Sequence, residues 1–206
     1  MNWNWKFQTN VFVYIVASCL FVVGSILFIP HLSTSNSLYE IGVLTFIIGS
    51  VLYCFGSMQL LLANFQSISP NYQLLVPESK PLDFDLAVSF CRNTAGIISG
   101  LLFIIGSVAL WPTFGQCAAP VAGWAYICGS CLGVVNYAWL LFLLQMKSWR
   151  FSFLKLLTLL SLLSTIGFII SSGYLLSGGK RPVVNSFAVL SGSILSLLSS
   201  ILVYEL

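Results

Sequence analysis

The sequence predicts an all-α, polytopic membrane protein, with six transmembrane helices as three tandem helical hairpins. Three observations carry this expectation. Only 6% of the residues are charged while 58% are hydrophobic, against about one quarter charged in an ordinary soluble domain. So little charge cannot clothe a globular surface in water, but it suits a chain whose outer surface meets lipid. Six apolar runs approach the roughly 20 residues that a helix needs to cross the hydrocarbon core, and they use most of the chain. Finally, a motif recurs: Leu20–Pro30 reads LFVVGSILFIP, Leu102–Pro112 reads LFIIGSVALWP, and Phe46–Ser50 reads FIIGS.

The elements follow in order. The first ten residues are polar and aromatic, with Trp3 and Trp5 expected at the headgroup level that amphipathic rings favour. Helix 1 is expected from Val11 to Ile29, stopped by Pro30, which cannot donate the next backbone bond. The run lacks a small-residue cleavage site, so a retained helix is expected rather than a removed signal peptide. His31 opens a short polar loop; one histidine alone makes no metal site. Helix 2 is expected from Glu40 to Asn64, with Ser37 and Glu40 spaced as a capping box. Gly42, Gly49 and Gly56 recur every seven residues, with Ser50 and Ser57 beside them. That spacing lays one small-residue stripe along the helix, of the kind that lets helices approach closely in lipid.

Residues 65–93 are the one long polar stretch, with Pro70, Pro77 and Pro81 in its first part arguing for irregular chain. Leu82–Phe90 is expected as a short amphipathic segment lying on the membrane. Glu78, Asp83 and Asp85 are read as solvated linker charges rather than an acid–base pair. Helix 3 is expected from Thr94 to Trp111, carrying Gly96 and Gly100 as a GxxxG contact and then Gly106-Ser107. Helix 4 is expected from Gly123 to Met146, with Gly129-Ser130 and a second GxxxG ending at Gly133. Helix 5 is expected from Leu154 to Leu176 and helix 6 from Val183 to Tyr204, the last with Gly192, Ser196 and Ser200 spaced by four. The expected division is residues 1–64 as hairpin one, 65–93 as linker, 94–147 as hairpin two and 148–206 as hairpin three.

Lys6, Lys80, Arg92, Lys147, Arg150 and Lys155 fall on one side if six helices alternate, and Lys180 and Arg181 on the other. The basic excess is normally cytoplasmic, which places both termini inside.

Paired this way, the helices form parallel repeats. Gly24-Ser25 and Gly49-Ser50 mark the first pair, Gly106-Ser107 and Gly129-Ser130 the second. The third is weaker, with Ser171-Ser172 and Gly192-Ser193. Leu20–Phe28 with Gly42–Tyr53, and Leu102–Leu110 with Gly123–Leu132, resemble the YrhK-like domain, a small two-helix membrane family. The resemblance implies a fold unit and brings no reaction with it.

Three functions are weighed. The leading expectation is a non-enzymatic protein without a cofactor. Its Gly and Ser stripes would pack its helices against each other, against copies of itself or against another membrane protein. The second is a channel or carrier for a small solute. Pumps and proton-coupled carriers keep ionisable residues deep in the membrane, and none sits mid-helix here; Ser57 and Asn136 are the candidate polar lining. The third is a thiol–quinone oxidoreductase using Cys128 and Cys131, since i and i+3 share a helix face and a CxxC pair can cycle between dithiol and disulfide. The Gly-Ser between them already belongs to the repeat, so structural thiols are expected. HExxH, phosphate-loop and nucleophile-elbow patterns are absent from the sequence, which removes the chemistries they signal. The low charge argues against nucleic acid, and lipid is the expected partner.

Overall fold

The computed structural model describes residues 3–68, 84–114, 118–147, 152–177 and 182–204. They form α1 (Trp3–Leu27), α2 (Asn36–Ile68), α3 (Phe84–Ala109), α4 (Ala119–Lys147), α5 (Phe153–Leu176) and α6 (Pro182–Tyr204), with a 3₁₀ turn at Pro112–Phe114. Helices are the form an apolar chain takes in lipid, because each backbone N–H and C=O finds its partner within the segment. Five of them are long and apolar enough to cross a membrane: stretches within α1, α2, α3, α4 and α5. The described apolar stretch of α6, Ser186–Leu202, is shorter. The chain is thus an all-α polytopic membrane protein.

Each helix packs against its neighbours in the chain, and α6 returns to α1, so the helices close into a ring. Neighbours run antiparallel. Along α1, Ser18 bonds Ser196 and Ser25 bonds Ser193, and just past its end the Phe28 carbonyl accepts from Ser186. Lipid-facing side chains surround the ring, Phe12, Val135 and Phe142 among them, whereas Ser25, Ser50, Ser107, Ser130 and Ser193 are fully buried.

Local chemistry sets the helix ends. Ser152 caps α5, its hydroxyl accepting from the Lys155 N–H at 3.4 Å, which satisfies one of the orphan donors of a first turn. α1 ends as its hydrogen bonds tighten, with the Ile29 N–H reaching Ile26 O at 3.0 Å just before Pro30.

Several boundaries depart from the sequence expectation. α2 starts at Asn36, so Ser37 lies inside the helix and the Ser37–Glu40 capping box is not what opens it. α2 runs on to Ile68 and α3 begins at Phe84. Most of the segment expected to lie on the membrane, Leu82–Phe90, is instead the first turns of a spanning helix. The expected linker, 65–93, therefore shrinks from both sides, and residues 69–83 lie outside the described residues with Lys80, Glu78 and Asp83. Arg150, Lys180 and Arg181 lie outside them too.

Candidate functional site: a divided interior

Three phenylalanines meet inside the ring. Phe21, Phe103 and Phe168 come from α1, α3 and α5, with ring centroids 6.5, 6.2 and 5.8 Å apart pairwise, within the range of attractive aromatic contact. Each lies four residues before the second residue of a Gly-Ser or Ser-Ser step. Ser25, Ser107 and Ser172 donate back to the carbonyls of Phe21, Phe103 and Phe168 at 2.6, 2.8 and 2.7 Å. Such a bond to the carbonyl four residues back keeps the hydroxyl on its own helix.

A second repeated contact locks each pair of helices. A Cβ on Gly49 would stand 3.2 Å from the Ala17 carbonyl oxygen; one on Gly129, 3.2 Å from that of Ser99; one on Gly192, 3.0 Å from that of Ser164. Ala17, Ser99 and Ser164 each precede the central phenylalanine by four. Glycine lets the backbones come this close without a shift of either. Ser99 and Ser164 use the proximity to donate to the Gly129 and Gly192 carbonyls at 2.9 and 2.7 Å.

The remaining glycines named from sequence also face neighbouring helices. Gly42 and Gly56 meet Leu27 and Tyr14 of α1; Gly24 meets Phe46 of α2; Gly96 and Gly100 meet Ser57 and Cys54 of α2. Gly106 meets Tyr126, and Gly133 meets Thr165 of α5. Ser196 meets Ser18. These small residues are thus taken up inside the ring. Ser130 keeps a buried hydroxyl with no hydrogen-bond partner among the described residues, for which the structure offers no reason.

Two cavities flank the aromatic cluster. The outer one, about 180 Å³, is bounded by Phe46 and Phe168 and reaches Ser33, Tyr39 and Leu110 at the loop ends. The inner one, about 420 Å³, is bounded by Phe21, Phe46, Phe103 and Phe168 and reaches Asn10, Arg92 and Leu154 near the other helix ends. Ser57 and Asn136, the candidate polar lining, both face this inner cavity. Its wall is knitted by hydrogen bonds: Tyr14 hydroxyl to Ser57 Oγ at 2.9 Å, Asn10 Nδ2 donating to Gly56 O at 2.8 Å, and Ser161 Oγ to Ser199 Oγ at 2.8 Å.

Sequence reasoning misses Arg92, which it places in the linker. On α3 it lines the inner cavity with Gly96, Ser99 and Phe103. The spacing 92, 96, 99, 103 is that of one helix face, and that is the available signal. Lys155 stands in the first turn of α5, yet it is buried, its Nζ donating to Gln145 Oε1 at 2.9 Å.

The cysteine pair is placed elsewhere. Cys128 and Cys131 are free thiols on the exposed surface of α4 and line neither cavity. His31 is exposed in its loop, and among the described residues no group of His, Cys, Asp and Glu is placed to hold a metal.

Residues 8–65, which cover most of α1 and α2, match the family described as YrhK-like protein. The first helix pair is thus similar to a YrhK-like unit, and residues 102–132, which carry the second resemblance, fall outside the matched range. No curated protein and no solved structure matches the chain.

Proposed function

We propose that this protein is a non-enzymatic conduit, a channel or carrier for a small solute. We infer six crossings in three tandem hairpins, both termini cytoplasmic. The observation that carries the reading is the pair of cavities on one interior, both bounded by Phe46 and Phe168, with Phe21 and Phe103 against Phe168 closing the end of the larger one. A hydrophobic constriction closes a pore by dewetting and opens it when the side chains part. The three-hairpin reading is supported by the glycine–carbonyl contact recurring at Gly49, Gly129 and Gly192, and the orientation by the basic residues around the N-terminal end of α1. The assembly reading draws less support, since the Gly and Ser stripes are occupied within the chain.

Stopped-flow shrinkage of proteoliposomes in glycerol, urea and sodium formate tests this. The wild type should pass at least one solute faster than protein-free vesicles. Phe103→Ala should raise that rate about tenfold, by removing one side of the constriction. If no solute crosses faster in either protein while both stay folded, the conduit reading is wrong.

A further inference from the structure

We propose that the inner cavity is a binding site for a small carboxylate, one negative charge on an apolar body, with Arg92 as its counter-charge. The inference rests on the conduit reading only for what happens to the ligand after binding.

Counting back eleven residues from Phe21, Phe103 and Phe168 reaches Asn10, Arg92 and Leu157, and all three line the cavity. Eleven residues of helix span about 16 Å, so these side chains ring the cavity at the end away from the phenylalanines. The three-fold pattern is broken there: one sector offers an amide, one a guanidinium and one a hydrocarbon. Leu154 and Leu140 extend the apolar sector. A symmetric pore for water or a simple ion needs no such asymmetry, whereas a ligand with one charged end and one oily side fits it.

Arg92 is the single charged residue among the described lining residues, and none of them is acidic. It is half-buried and lies within the spanning stretch Val88–Ala109. Ionisable groups in such positions face water-filled paths and mark what passes along them. A guanidinium presents a planar fork of donors that matches a carboxylate. Asn93, beside it on α3, and the hydroxyls of Tyr14 and Ser57 face the same space. The floor of four phenylalanines suits the apolar body. The competing account is that Arg92 merely stretches to the headgroups, in which case it would not distinguish one ligand from another.

The test is equilibrium dialysis of the full-length protein in a neutral detergent with labelled benzoate and with benzamide, its uncharged counterpart, corrected for protein-free micelles. Benzoate should bind at least about tenfold more tightly than benzamide, the scale of one charge-assisted hydrogen bond. Arg92→Gln should erase the preference, and Arg92→Lys should keep part of it, which separates lost charge from lost folding. Equal binding of the two probes, no benzoate binding, or a preference that survives in Arg92→Gln overturns the proposal. The two readings fail separately. Arg92-dependent binding without vesicle flux would sink the conduit and leave the site; flux without benzoate binding would do the reverse.

Discussion

The first and third helix pairs make the same backbone contact with different side chains. In α1 and α2, Gly49 lies against the Ala17 carbonyl; in α5 and α6, Gly192 lies against the Ser164 carbonyl. Around that contact the chemistry diverges. Gly24 in the first pair faces the Phe46 ring. Gly106 in the second faces the Tyr126 ring, which a Cβ there would meet at 3.1 Å. In the third pair Ser171 replaces the glycine, and Val189 stands where the ring would be. A larger residue on one helix is matched by a smaller one on the other. Ser171 and Val189 line the outer cavity together with the Phe46 and Tyr126 rings, so two sectors offer it a ring and the third a smaller side chain. The lesson is that the glycine–carbonyl contact sets the spacing, while the ring positions are free to shape the interior.

The largest effect should come from the shared contact. Gly49→Val and Gly192→Val should each destabilise the protein by about 1–3 kcal/mol, as overpacking does, and by similar amounts. Thermal unfolding in detergent followed by circular dichroism measures this; a loss in the first pair alone would break the equivalence.

A smaller effect tests the exchange of volumes. Gly24→Ser should lower stability, because a side chain there meets the Phe46 ring. Adding Phe46→Val should recover part of the loss, with a favourable coupling of about 1 kcal/mol in a double-mutant cycle. Strict additivity would mean that the two positions vary independently.

This exchange explains what could be read from the chain and what could not. The membrane class was legible in composition, since 6% charge leaves few alternatives. The repeat was legible in Gly-Ser, because only small residues fit where backbones touch. The third pair looks weak when residues are compared one at a time, whereas Ser171 and Val189 make sense only as a pair. The central cluster was hidden for a related reason. Phe21, Phe103 and Phe168 are three of sixteen phenylalanines, and nothing local distinguishes them from rings that face lipid. Arg92 escapes notice because Pro70, Pro77 and Pro81 draw the whole segment into the linker, although its last turns carry the same face as Gly96 and Ser99.

The smallest effect is expected at the cysteines. Replacing Cys128 and Cys131 by serine should leave solute flux unchanged and stability within about 0.5 kcal/mol, the usual range for surface changes. A loss of flux measured in the same vesicles would bring the thiols back into the function.

Sided chemical labelling tests the divided interior most directly. With the native cysteines replaced, Ser57→Cys probes the inner cavity and Val189→Cys the outer one, each exposed in oriented vesicles to a membrane-impermeant sulfonate thiol reagent. The account predicts that the Ser57→Cys variant is labelled only from the face bearing the α1 N-terminus, and the Val189→Cys variant only from the opposite face. Labelling of both positions from a single face, or of neither from any, would contradict it.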